Sequence, residues 1–244
     1  VRTPNPRAAG GFSGEQAAGY DARSRVAIPG YEVLHDLVAV LLRSELGLEA
    51  RVLVAGAGTG EEIVRLAPGN PGWRFVGVDP APDMLVIARR RIAESGAADR
   101  AEAIDGFVAE LPPEPAFDAA TLLLVMHFLP DDGAKLELLQ SIAERLKPGA
   151  PLLLADLHGD PAASAFDRLL AAWKRRVVDA VGDRPEVSES FGKIREDIAF
   201  VPEARIFALL DEAGFDAPFR FWGGLLFGGW IARRQRDGQG DRVS

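Results

Sequence analysis

The segment VLVAGAGTGEE, residues 52–62, constrains the fold more than any other part of the chain. An apolar run of strand type enters Gly56-Ala57-Gly58-Thr59-Gly60, and a helix-type run leaves it at once. Three glycines let the backbone turn sharply and bring main-chain N–H groups within contact distance of a ligand. The helix start behind them carries unpaired donors. A dinucleotide fold would seat a pyrophosphate there. Here the spacing is G-x-G-x-G, and Glu61 stands where a dinucleotide-binding loop has its third small residue. Glu61 and Glu62 suit the helix dipole and repel a pyrophosphate. The loop therefore expects a ligand without phosphates and with a cationic group; the alternative is a tight strand-to-helix turn with no ligand.

Two carboxylates extend this reading. Asp79 closes the next apolar run, RFVGV, nineteen residues past Gly60, and is followed by Pro80. An acid at about that distance, at the tip of the second strand, accepts hydrogen bonds from ribose hydroxyls; its alternative is to open a turn with Pro80. Asp105-Gly106-Phe107 follows a third, weaker run, 101–104. A carboxylate there can accept from an exocyclic adenine amine, with Phe107 against the base, or Asp105 can begin a turn before Gly106. In the order strand, glycine loop, helix, strand, acid, these signals point to a nucleoside-containing cofactor.

Short apolar runs alternate with longer amphipathic ones from Tyr31 to Asp156. Helices are expected over 31–46, 61–66, 83–95 and 133–146, and strands over 51–55, 74–78, 101–104, 118–125 and 151–156. That rhythm predicts parallel βαβ units in an open, doubly wound α/β sheet, and TLLLV suits a strand covered on both faces. Beyond Asp156 a long helix is expected over 162–181, an irregular polar stretch over 182–200 and a helix over 202–214. A hairpin of 217–222 and 225–232 is expected to turn at Gly223-Gly224. The division expected is a flexible leader (1–19), N-terminal lid helices (20–50), one domain (51–232) with a cap insertion (157–202), and a flexible tail (233–244).

Composition narrows the chemistry. The 244 residues include no Cys and three His, which excludes thiolate chemistry, and no metal site is expected. A net charge of -8 disfavours a nucleic-acid partner and favours a small molecule. No segment reaches the roughly 20 apolar residues of a membrane span, and a cytoplasmic location is the expectation. His127, after the fourth strand, is either a general base or a locally bonded histidine. Arg89, Arg90 and Arg91, and likewise Lys174, Arg175 and Arg176, read as solvated faces, and Trp222, Phe227 and Trp230 as hairpin packing.

The pieces VLVAGAGTG, FVGVDPAPDML, AIDGFVAELP, FDAATLLLVMHFLPD, LKPGAPLLLAD and LLDEAGF resemble, in family order, the class I S-adenosylmethionine-dependent methyltransferase family. The resemblance implies a Rossmann-like, seven-stranded, mostly parallel sheet with an antiparallel last strand, helices on both faces and a helical lid or cap. It implies S-adenosylmethionine as cofactor and S-adenosylhomocysteine as product, with transfer to a small-molecule acceptor. The cofactor residues it implies are Tyr31, Gly56, Ala57, Gly58, Gly60, Asp79, Pro80, Met84, Asp105, Gly106 and Phe107. The family often has an acid where Val54 stands, so the methionine end is expected to be held differently. The N-terminal stretch from Tyr20-Asp21 to IPGYE resembles the lid entry of carboxy-S-adenosylmethionine synthase, with Tyr31 and Arg25 in the lid. A synthase-like activity in tRNA wobble-uridine modification and a non-catalytic nucleoside-binding module are the two alternatives. The N-terminal helices and the 162–181 helix offer surfaces for a homodimer.

Overall fold

The computed structural model describes residues 19–114 and 116–236. Two helices, α1 (Tyr20–Ala27) and α2 (Tyr31–Glu45), precede an alternating series: β1 (Ala50–Ala55), α3 (Glu61–Leu66), β2 (Trp73–Asp79), α4 (Pro82–Glu94), β3 (Ala101–Asp105), β4 (Ala119–Leu123), α5 (Ala134–Arg145) and β5 (Pro151–Leu157). Helices α6 (Phe166–Val181), α7 (Pro185–Asp197) and α8 (Glu203–Glu212) follow, then β6 (Phe215–Gly224) and β7 (Phe227–Arg234). Short 3-10 turns lie at Val108–Glu110 and Met126–Phe128.

The seven strands form one sheet in the order β3-β2-β1-β4-β5-β7-β6. β7 alone runs against its neighbours β5 and β6. β1 lies inside the sheet beside the central strand β4, in parallel register with β2 (Val54 opposite Gly77) and with β4 (Val54 opposite Thr121). Apart from Arg51 every β1 residue is buried, as a strand covered by helices on both faces requires. Strand order reverses between β1 and β4, and open α/β sheets bind ligands at such a switch point, beyond the carboxyl ends of the strands. Gly77 shows how tightly the glycine loop sits on the sheet: a Cβ there would lie 2.8 Å from the Ala57 Cβ and 3.1 Å from the Ile63 Cδ1.

Several boundaries differ from expectation. The stretch 182–200 contains α7, whose Val187, Phe191 and Ile194 recur at helical spacing and are more covered than the polar residues between them, with Ile198 capping the helix end. α6 starts at Phe166 rather than Ala162, because Asp160 accepts the Ala162 N–H at 2.9 Å in a preceding turn. The fourth strand stops at Leu123, where Leu124 takes a positive φ of 62°. The hairpin turns at Leu225-Leu226, not at Gly223-Gly224. Gly223 pairs with Gly228 inside the ladder, and a Cβ on it would lie 2.5 Å from an Arg220 guanidinium nitrogen, so this glycine makes room for a crossing side chain. Trp222, Phe227 and Trp230 are buried in the hairpin and core, as expected. Arg233 and Arg234, expected in the tail, extend β7. Residues 1–18 of the expected leader (1–19) and 237–244 of the expected tail (233–244) lie outside the described residues. Among the described residues no helix is long and apolar enough to cross a membrane.

Candidate active site

A cavity of about 580 Å³ opens beyond the carboxyl ends of β1, β2 and β4, within the roughly 300–1,000 Å³ range of small-molecule sites. Its floor is the glycine loop. Gly56 and Gly58 adopt φ of 73° and 51°, in the left-handed region open to glycine. The loop is pinned to β2, since Gly56 and Ala57 both donate to the Val78 carbonyl, at 2.8 and 3.0 Å.

Asp79 closes one wall. Its Oδ2 accepts the Gly58 N–H at 2.8 Å and its Oδ1 the Ala81 N–H at 2.9 Å. A carboxylate has about four acceptor positions, so each oxygen keeps one for a vicinal diol. Burial pushes the Asp79 carboxyl above its ordinary value, the two backbone donors pull against that, and Asp105 adds repulsion. Pro80, Ala81, Met84, Gly106 and Phe107 continue this wall, with Phe107 partly exposed at the rim. Asp105 sits opposite Asp79 in register, but it is exposed and is absent from the cavity lining. Gly60 is also off the lining; a Cβ there would meet the Ala88 Cβ at 3.2 Å, so its small size serves the approach of α4.

The opposite wall comes from α1 and α2 through Tyr20, Asp21, Tyr31 and His35, and from α3 through Glu61 and Glu62. A charged network fixes α1 there. Thr59 donates its hydroxyl to Asp21 at 2.7 Å, and Arg91 donates to Asp21 at 2.8 Å and to Thr59 Oγ1 at 2.9 Å. Glu61 accepts from Arg25 and Arg65, both at 2.7 Å, and from Arg91. Burial raises the Glu61 carboxyl, but the Arg91 and Arg65 guanidiniums outweigh it and hold the group at about 2. Arg91 is therefore no solvated-face residue: it is three-quarters covered and ties α4 to α1 and α3. Arg176 likewise leaves its expected face to donate to the Val26 carbonyl, beside Trp173 Nε1 on the Ala27 carbonyl at 2.7 Å.

Glu62 has no such company. It is 6 % exposed, and its Oε1 has no hydrogen-bond partner. Burial pushes its carboxyl up to about 8 against the pull of a backbone hydrogen bond, with Glu61, Asp79 and Asp21 adding repulsion. A carboxyl raised above its unfolded value stabilises the fold fully below pH 4.5 and loses that contribution as pH climbs through about 8. Glu62→Gln should therefore melt higher relative to the wild type at pH 8.5 than at pH 5, read by thermal unfolding in the absence of ligand. Equal differences at both pH values would mean that Glu62 is solvated.

A second, smaller cavity of about 280 Å³ adjoins the first, and Tyr20, Leu124 and Phe128 line both. Its other walls are largely apolar, with Ile28, Leu157, Trp173, Ile194 and Phe227, and α7 also supplies Ser190 and Asp197. His127 lines this smaller cavity and not the larger one. Its Nδ1 is hydrogen-bonded to Asp156 Oδ1, which also accepts the Leu157 N–H at 2.9 Å. Both residues are buried. A carboxylate on Nδ1 selects the tautomer whose Nε2 is the acceptor. The turn that carries His127 is held from behind by Lys135, whose Nζ donates to the Met126 carbonyl at 2.7 Å, and by Ala199, whose N–H donates to the His127 carbonyl at 2.9 Å.

Comparison with known proteins fits this geometry. Residues 53–152 match the methyltransferase domain model. A demethylmenaquinone methyltransferase of Thermus thermophilus is 31% identical over 183 residues, covering 73% of this chain and 78% of that protein. A ubiquinone biosynthesis O-methyltransferase of Xanthomonas euvesicatoria is 34% identical over 134 residues, covering 53% of this chain and 52% of that protein, so the chain spans about half of that relative. Among solved structures, an O-methyltransferase family protein of Burkholderia thailandensis superposes with a TM-score of 0.59 at 19% identity, covering 93% of this chain and 64% of that one, which shows the shared fold. The chain belongs to the class I S-adenosylmethionine-dependent methyltransferase family. S-adenosylmethionine is the methyl donor that this family membership assigns to it, and S-adenosylhomocysteine the product.

Proposed function

We propose that the chain transfers a methyl group to a hydroxyl oxygen of a small, largely apolar acceptor, with His127 as general base and Asp156 as the residue that orients it. One observation carries the reading: the glycine-loop cavity and the His127 cavity share a wall at Tyr20, Leu124 and Phe128. A donor in the first and an acceptor in the second would meet there. The name of the ubiquinone-biosynthesis relative, an O-methyltransferase, supports transfer to oxygen, and the names of both relatives support a small, largely apolar acceptor.

When bound, S-adenosylmethionine supplies a methyl group on a sulfonium, a good leaving group. The protein's part is to orient, to exclude water and to take up a proton. Of the residues lining the larger cavity, Gly56, Ala57, Gly58, Asp79, Pro80, Met84, Gly106 and Phe107 would hold the cofactor, and Tyr31 would cover it from α2. The apolar walls and the α6–α7 cap would keep water from the acceptor, whose hydroxyl proton would pass to His127 Nε2 as its oxygen bonds to carbon. Asp156 then faces the imidazolium that forms.

The test is mass spectrometry after incubation with S-adenosylmethionine and a panel of phenols, amines and carbon acids. Gain of one methyl on phenolic oxygen is expected; transfer confined to amines or carbon would overturn the reading. Asp79→Ala should weaken S-adenosylhomocysteine by about 1.5–3 kcal/mol through loss of charge-assisted hydrogen bonds, measured by calorimetry. An unchanged dissociation constant would refute ribose anchoring at Asp79. The carboxy-S-adenosylmethionine reading finds no support in the side chains that would serve it. Arg195 and Lys193, the basic side chains nearest in the chain to that role, pair with Asp167 and Glu189, and neither lines either of the two cavities described above.

A further inference from the structure

We propose that Glu62 receives the α-ammonium group of the cofactor's methionine arm as a carboxylate, releasing a proton to solvent when the cofactor binds. The inference rests on S-adenosylmethionine occupying the larger cavity.

Two adjacent carboxylates at the start of α3 stand in opposite surroundings. Glu61 is surrounded by three guanidiniums, while Glu62, the next residue, lines the cavity with a buried oxygen that no donor reaches. An unpaired buried carboxyl oxygen is costly, and within a ligand cavity the missing donor is one that a ligand can bring. The cofactor carries two cationic centres. The sulfonium has no N–H or O–H to donate; the ammonium has three N–H donors. Only the second can complete the Glu62 hydrogen bond. β1 cannot take this role, because Val54 is fully buried in the sheet between Gly77 and Thr121 and its side chain has no polar atom.

The surroundings isolate the proton change. Tyr20 on α1 is pushed up to about 12 by burial, and Tyr31 on α2 is raised by burial too, so both stay neutral. His35 on α2 is driven down to about 4 by burial and also stays neutral. Asp21 is paired with Arg91 and Thr59, Glu61 is held ionised by its arginines, and Asp79 lies at the ribose side with its two backbone donors. Glu62, raised to about 8, is protonated in the free protein at pH 7 and gives up its proton to meet an ammonium.

The experiment is calorimetric titration of S-adenosylhomocysteine into the full chain at pH 7 in two buffers of different ionisation enthalpy, with 5′-methylthioadenosine, which lacks the amino-acid arm, as the second probe. The wild type should release close to one proton per S-adenosylhomocysteine and none with 5′-methylthioadenosine. Glu62→Gln should abolish the release and weaken S-adenosylhomocysteine about 10- to 100-fold, leaving 5′-methylthioadenosine within about twofold. Binding of S-adenosylhomocysteine without proton release would overturn the assignment and leave the cofactor site standing; a neutral Glu62 donating to the cofactor's carboxylate would give that result. Binding of neither probe would overturn both. Should Glu62→Gln fold poorly, the two-probe comparison on the wild type decides alone.

Discussion

Replacing His127 by Ala should lower kcat for a weakly acidic phenol by about 10²–10⁴-fold, the range of general-base catalysis. The affinity for S-adenosylhomocysteine should stay within about twofold, because His127 lines the acceptor-side cavity and not the cofactor cavity. The sharper readout is the dependence on acceptor acidity. A phenol already ionised at the assay pH needs no base, so the defect of His127→Ala should shrink as the acceptor becomes more acidic. A histidine that only packs the turn would slow every acceptor equally. Asp156→Asn should show the same acidity dependence with a smaller loss: Asp156 acts through the imidazole, and its amide can still accept the Leu157 N–H. An acidity-independent defect in both variants would remove His127 from the chemistry.

Gly56→Ala should cost about 2–5 kcal/mol of stability, from about 1–2 kcal/mol for an L-residue in the left-handed region and about 1–3 kcal/mol for overpacking. Gly56 has a φ of 73°, and a Cβ would stand 2.3 Å from the Val125 Cγ2. For a chain of this size the melting midpoint should fall by roughly 5–15 °C. Val125→Ala in the same background should recover the packing part and leave the backbone part. Gly69→Ala is the control: φ there is not positive and nothing lies within 4 Å, so it should be neutral. Equal effects at Gly56 and Gly69 would mean that the loop is free to move away from Val125.

Much of this was legible in the sequence because the signals are local. VLVAGAGTG encodes a buried strand, a positive-φ turn and a helix start within a few residues, and Asp79 marks the end of the next strand. The role of Gly60 was less legible, since a glycine that admits Ala88 and one that admits a ligand look alike until α4 is placed. Arg91 read as solvated because its partners Asp21 and Glu61 come from α1 and α3, seventy and thirty residues away. Asp156 ends an unbroken apolar run, LLLAD, and that abrupt acid was the available signal; its partner His127 is twenty-nine residues upstream. Helix α7 is hard to read because only Val187, Phe191 and Ile194 mark its covered face in a polar stretch interrupted by Gly192. Glu62 is legible as an acid at a helix start, but its missing partner becomes visible only when α1 and α2 bring Tyr20 and Tyr31 to the same cavity.

The most direct measurement is a crystal structure of the chain with S-adenosylhomocysteine. The ribose hydroxyls should lie on the two oxygens of Asp79, the adenine beside Phe107 and Met84, and the sulfur should point toward the wall at Leu124 and Phe128 that the larger cavity shares with the one His127 lines. A ribose bound away from Asp79, or a sulfur pointing away from His127, would contradict this arrangement.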